Sequence, residues 1–226
     1  MNNYLIKKSL YDQIAQALLK ALYPNKCLFC KKIMDIISKT TCSGCEAALQ
    51  FNGGFGNDIF TDISDIYAAY NYSEAAADAI FRFKYEGKRL LAHPMAHAVN
   101  FFLSGKAIEA DFLIPVPLHK ARLKERGYNQ AAALAVELGV LMKLPVYDCM
   151  LRIKNTKRQF DLGPEERVQN MTDAFVLKND FDVMGKDVIL IDDILTTGAT
   201  ARECAKTLKQ AGVRSVRLVV FSAIAS

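Results

Sequence analysis

The stretch "VILIDDILTTGAT", Val188–Thr200, decides how this chain is read. Val188 to Ile191 run without polar alternation, the pattern of a strand buried on both faces, as in a parallel sheet covered by helices. Asp192 and Asp193 follow directly, where such a strand is expected to end. Thr196, Thr197, Gly198 and Thr200 then make a turn into "GATARECAKTLKQAG". Ala201, Cys204, Ala205, Leu208 and Ala211 share one helical face there, and Gly212 suits the stop.

Ligands of open parallel sheets sit beyond the carboxyl ends of the strands. The first N–H groups of a helix lack partners, and its dipole places about half a positive charge there. Small hydroxyl residues and one glycine let a phosphate come close to those amides. Two neighbouring carboxylates can accept hydrogen bonds from vicinal hydroxyls. Together these features describe a site for a ribose 5-phosphate. Neither GK[ST] nor G-x-G-x-x-G occurs, so the other common phosphate loops do not apply. The plainer alternative makes Asp193 a turn cap and the threonines surface loop.

The flanking sequence supports an α/β fold, a parallel sheet flanked by helices. "DISDIYAAYNY" is strand-like, and "SEAAADAIFRFKY" is helical with Ser73 as cap. "HPMAHAVNFFL" is helical with Pro94 in its first turn. "DFLIPVPL" is extended, "NQAAALAVELGVLM" helical, "PVYDCMLRI" and "DAFVL" strand-like, and "RSVRLVVFSAI" a final strand. Phe81 and Tyr85 are expected in the core, with base stacking as the alternative. Cys149 and Cys204 are expected as core residues.

The 226 residues allow one domain of ordinary size plus a small module. The formal charge of +5 suits an anionic ligand and is too weak to indicate nucleic acid without a localised patch. The first 24 residues lack the unbroken apolar core of a signal peptide, and Leu10, Ile14, Leu18 and Leu22 suggest an amphipathic helix. No stretch is long and apolar enough to span a bilayer. A cytoplasmic location is expected.

Cys27-x-x-Cys30 and Cys42-x-x-Cys45 are separated by eleven residues. Two such turns complete a tetrahedral thiolate shell for zinc, and without an open position the site is structural. A segment this short lacks a core, which the metal replaces. "FNGGFGND", Phe51–Asp58, suits a joint, so residues 1–56 are expected as helix and zinc module and 57–226 as the main domain.

"VILIDDILTTGAT" resembles the phosphoribosyl diphosphate (PRPP) motif of type I phosphoribosyltransferases. The resemblance implies that Asp192 and Asp193 contact the ribose hydroxyls. It implies that Thr196, Thr197, Gly198 and Thr200 hold the 5-phosphate, with Ala199 offering its backbone amide. "PVPLHKARLKERGYNQA", the spread pattern Arg152, Thr156, Gln159, Leu162, Arg167, Asn170 and Phe175, and the four-cysteine module are similar to the ComF family over nearly the whole chain. These are bacterial proteins that join a zinc finger to a phosphoribosyltransferase-like domain, several of them linked to DNA uptake and natural transformation.

The resemblance gives the basic segments a role. His119, Lys120, Arg122, Lys124 and Arg126 follow a strand whose loop receives the diphosphate in the wider fold, and Arg126 is the leading candidate. "RIKNTKRQFDLGPEERVQN" suits a lid, with Lys157 and Arg158 closing over the diphosphate. Turnover would displace diphosphate from C1 of PRPP with magnesium, the acceptor being unspecified. The competing reading is a protein that senses PRPP or a nucleotide and binds single-stranded DNA or a partner in the competence machinery. Fold alone does not decide between them.

Overall fold

The computed structural model describes residues 25–34, 40–49, 60–86, 89–154, 173–178 and 181–224. The expected N-terminal helix, the 56/57 boundary, and Lys157 and Arg158 lie outside them.

After a short helix α1 (Ser43–Leu49) the main domain begins with β1 (Asp65–Asn71) and α2 (Glu74–Tyr85). Next come α3 (Ala92–Leu103), β2 (Phe112–Pro115), α4 (Lys120–Arg126) and α5 (Gln130–Met142). The chain continues through β3 (Met150–Arg152), β4 (Phe175–Leu177), β5 (Asp187–Leu195), α6 (Ala199–Gln210) and β6 (Ser215–Ala223). Four strands form one sheet in the order β1-β6-β5-β2, and every pairing is parallel. β3 and β4 pair antiparallel by themselves.

β5 is an interior strand, between β6 and β2, and Val188 to Ile191 are fully buried. Burial of each such side chain is worth about 1.5–3 kcal/mol relative to exposure. The strand's period of two sends its residues into two different cores. Val188 and Leu190 pack with Cys204, Ala205 and Leu208 of α6 and with Met150 and Phe175 of the small sheet. Ile189 and Ile191 pack with Phe83 of α2, Met95 and Val99 of α3, and Leu134 and Leu138 of α5. The sheet is therefore covered on both faces, which is why its central strand carries no polar alternation.

Helix boundaries follow local chemistry. Ser73 accepts a hydrogen bond from the Ala76 N–H at the start of α2, and Asn129 does the same for Ala132 at α5. Gly127 closes α4 in the left-handed region at φ 78°. Cys149 and Cys204 are fully buried, as expected.

Four expectations are corrected. β5 does not end at the aspartates but runs on to Leu195, because Asp192 and Ile194 still pair with Val220 and Ser222 of β6. "PVYDCMLRI" is not one strand: Val146 makes an isolated parallel bridge to Leu113, and only Met150–Arg152 forms a strand, in the other sheet. Phe81 and Tyr85 are not core residues. They stand 54% and 50% exposed with ring centroids 5.1 Å apart, while Ile80 and Phe83 fill the core. The basic run after β2 also forms a helix of its own, α4, rather than a loop.

Candidate functional site

A cavity of about 780 Å³ opens at the carboxyl edge of the sheet. It is lined by both aspartates of β5, Thr196 and Gly198 of the turn, the start of α6, Arg122 and Arg126 of α4, Arg152 of β3, and the exposed side of α2.

Strand alternation splits the acids. Asp192 continues the face of Val188 and Leu190, and Asp193 that of Ile189 and Ile191. Each therefore meets different neighbours while both reach the one cavity. Asp193 lies 2.8 Å from the ammonium of Lys84 on α2, and both side chains are largely withdrawn from water. Asp192 accepts a 2.8 Å hydrogen bond from the Asp193 N–H. Burial raises the Asp192 carboxyl to about 7, and the Asp193 charge adds to the rise, against the opposing pull of Lys84 and Arg152.

Beyond β5, Gly198 sits at φ 73° and begins α6 without any side-chain cap. The start of this helix faces the cavity through Ala199, Thr200 and Ala201. The Thr197 hydroxyl is buried, does not line the cavity, and has no hydrogen-bond partner among the described residues. An uncapped helix start beside an orphaned donor suits an anion. Gly198 is required twice over: its φ disfavours other residues, and a Cβ would lie 2.4 Å from the Phe60 ring. Gly198→Ala is expected to destabilise by about 2 kcal/mol or more, lowering the melting temperature by roughly 4–8 °C on calorimetric scanning.

The cationic side is built by α4 and β3. The Arg126 guanidinium donates to Gln130 Oε1 at 2.9 Å and to the Tyr85 hydroxyl at 3.3 Å, and it stacks over the Tyr85 ring at 5.2 Å. Its Nε is buried without a partner. Arg152 lies over the Phe175 ring at 5.6 Å. Burial lowers its pKa, and the Arg122 charge adds to that. Three guanidinium groups thus share the cavity with the carboxylates. The sequence pointed to Arg126 directly. It placed Arg152 near the end of a strand-like run and at the start of the lid segment without giving it a site role, and it missed the pairing of Lys84 with Asp193.

The cysteine cluster lies elsewhere. An antiparallel bridge between Lys26 and Ile33 holds Cys27 and Cys30, while Cys42 and Cys45 stand at the start of α1. The four sulfurs lie within 4.8 Å of one another, and Cys30 and Cys42 are 3.7 Å apart. Four thiolates around zinc at about 2.3 Å require sulfur separations of about 3.8 Å, so the donor set fits that ion. Burial works to raise Cys27, but the Cys42, Cys30 and Phe29 N–H groups outweigh it and lower the thiol to about 7. Burial and the neighbouring cysteines push Cys45 up to about 12. The knuckle is docked on the domain. Phe29 packs against Tyr70 and Phe221, and Arg82 of α2 donates to the Leu28 carbonyl at 2.6 Å.

Comparison with known proteins agrees with the fold class. Residues 123–224, from α4 through β6, match the family described as "Phosphoribosyl transferase domain". The chain is 29% identical over 223 residues to competence protein F of Haemophilus influenzae, covering 85% of this chain and 94% of that one. The chain belongs to the ComF family. It is also 30% identical over 146 residues to competence protein ComFC of Bacillus subtilis, covering 64% of this chain and 58% of that one. Among solved structures it is similar to glutamine PRPP amidotransferase from B. subtilis, complexed with ADP and GMP. That likeness has a TM-score of 0.43 at 18% identity and covers 62% of this chain and 30% of the other. In this ComF family member the matched segment carries β5, the turn and α6 but not α2. Among the described residues no helix is long and apolar enough to cross a membrane.

Proposed function

We propose that the cavity binds PRPP with its magnesium and that the protein transfers the phosphoribosyl group to an acceptor. The observation that carries this reading is the three-sided lining of one cavity. An uncapped helix start that lines the cavity, with the buried Thr197 hydroxyl in the turn just before it, offers a phosphate site. Asp192 and Asp193 offer acceptors for vicinal hydroxyls. Arg122, Arg126 and Arg152 offer positive charge for a diphosphate.

In the reaction, an acceptor lone pair forms a bond to C1 while the C1–oxygen bond breaks and its electron pair leaves with diphosphate. The protein's part is electrostatic. Arg126 presents the donor that best suits the departing oxygens, and the α6 amides hold the far end of the sugar phosphate. Asp192 and Asp193 fix the ribose between these two anchors. Magnesium, arriving with PRPP, would neutralise part of the leaving-group charge. Lys157 and Arg158 are proposed to close over the diphosphate and exclude water.

The four cysteines are proposed to hold a structural zinc ion, as their number and spacing suit. The names of the relatives associate them with competence. We place this chain likewise in the handling of incoming DNA, in the cytoplasm, where free thiols persist.

The exposed Phe81–Tyr85 pair favours a second reading. Two tilted rings at the cavity mouth could stack bases of single-stranded DNA, with PRPP or a nucleotide as a sensed ligand and competence-machinery proteins as partners. One assay separates the two. Incubated with PRPP, magnesium and a panel of bases, amines and oligonucleotides, the protein is expected to release diphosphate with at least one acceptor. Release with none, together with oligonucleotide binding that falls steeply with salt, would favour the sensor.

A further inference from the structure

Lys84 is the one basic side chain that α2 sends to the acid pair, and the surrounding geometry assigns it a task. The Lys84 and Asp193 side chains are 17% and 6% exposed and 2.8 Å apart. Withdrawing two charges from water costs several kcal/mol per ion, so a buried ion pair adds little net stability over apolar side chains of the same size. Nor is the pair needed to hold α2. Ser73 caps that helix, and Phe83 anchors it in the core. Arg82 binds Asp78 at 2.9 Å and the Leu28 carbonyl at 2.6 Å, and Tyr128 donates to the Phe83 carbonyl. These contacts fix the helix before Lys84 is considered. What remains for Lys84 is its effect on the acids.

Strand alternation makes that effect one-sided. Asp193 faces α2 and its ammonium, whereas Asp192 faces β3 and α6. The charged and titratable groups acting on Asp192 are Asp193 on its own strand, Lys84 from α2, Arg152 from β3 and Cys204 from α6. Tyr128, just before α5, feels Asp193. Lys84 cancels one of two adjacent negative charges at the place where a polyanionic ligand would enter.

We propose that Lys84 is the positioning residue of the acid pair, aiming the Asp193 carboxylate into the cavity and offsetting its charge so that a sugar phosphate is admitted beside two acids. The inference rests on the sugar-phosphate reading of the cavity. It extends the site to a helix outside the segment that matches the transferase family. Deleting the ammonium leaves the Asp193 carboxylate uncompensated beside Asp192 where the ligand's phosphates enter. Binding should weaken, and Asp192 should hold its proton to higher pH. Arginine in place of Lys84 should restore both, since it keeps the charge and the reach.

The test uses Lys84→Met and Lys84→Arg in the full chain. Calorimetric titration with PRPP and magnesium is run from pH about 6 to 9, together with carbon-13 NMR titration of the Asp192 carboxyl. Lys84→Met is expected to weaken PRPP binding about tenfold or more and to move the midpoint of its pH dependence to higher pH, with Lys84→Arg close to wild type. Wild-type binding with unchanged affinity and pH profile in Lys84→Met would overturn the proposal. Absence of binding by the wild type would reject the sugar-phosphate reading instead. The NMR arm then still decides on Lys84: an Asp192 midpoint unmoved by Lys84→Met overturns its role, and an upward shift upholds it. Should Lys84→Met fail to fold, Lys84→Gln removes the same charge with a polar tip and is read by the same two measurements.

Discussion

Asp192→Ala combined with Asp193→Ala is expected to abolish PRPP binding while leaving the fold intact. Each acid accepts a hydrogen bond from the sugar in this account, and bonds to charged groups contribute about 1.5–3 kcal/mol apiece. Losing two costs about 3–6 kcal/mol, or roughly a hundredfold to ten-thousandfold in affinity, which takes a micromolar ligand out of calorimetric range. The effect on folding is the balance of two opposing terms. Removing Asp193 strands the Lys84 ammonium in a largely buried setting, which destabilises. Removing Asp192 relieves a carboxylate whose burial and neighbour oppose its ionisation, which stabilises at neutral pH. The melting temperature should therefore move little. The sign of the second term can be checked alone. Because the folded-state pKa of Asp192 is raised, its contribution to stability falls as pH climbs from its ordinary range near 4 to about 7. The single variant Asp192→Ala should lose that part of the pH dependence.

The second large effect is expected at the cysteine cluster. Protein purified without a metal-affinity tag should carry about one zinc per chain, and Cys42→Ser or chelation should remove it. Structural zinc contributes about 10–16 kcal/mol to the folding of isolated fingers, so the turns that carry the four cysteines should not keep their arrangement without it. The consequences reach the main domain, because the knuckle holds Phe29 against Tyr70 and Phe221 and takes the Arg82 hydrogen bond through Leu28. A fall in melting temperature of about 10 °C or more is expected. Binding of the metal must release protons from thiols such as Cys45, so zinc affinity should decline as pH falls. Metal-free protein with an unchanged melting temperature would remove zinc from the account.

These effects could be anticipated to different degrees from the sequence. The strand, the acids and the threonine loop were legible because an unbroken apolar run and a turn of small residues are local signals. The cysteine cluster was legible because spacing alone brings the sulfurs together. The end of β5 was not, since hydrogen bonds from β6 carry the strand past two residues that looked like its terminus. This extension matters chemically. It turns two apparently equivalent acids into residues on opposite faces, one with Lys84 and one toward Arg152. The face of α2 was misjudged for a related reason. Phe81, Phe83 and Tyr85 are all aromatic, and only the position of the cavity tells which of them lacks a core to enter. Arg152 was read both as part of a strand-like run and as the start of the lid segment, because its strand is three residues long and pairs with a partner more than twenty residues away. Short antiparallel pairings of that kind leave no periodicity to detect.

The central claim is that a sugar phosphate docks between the aspartates of β5 and the first turn of α6. A crystal structure of the protein grown with PRPP and magnesium tests it most directly. The account predicts the 5-phosphate within hydrogen-bonding distance of the α6 amides and the Thr197 hydroxyl, the ribose hydroxyls on Asp192 and Asp193, and the diphosphate toward Arg126. A cavity without ligand under saturating PRPP, or a ligand bound with its phosphate elsewhere, would contradict it.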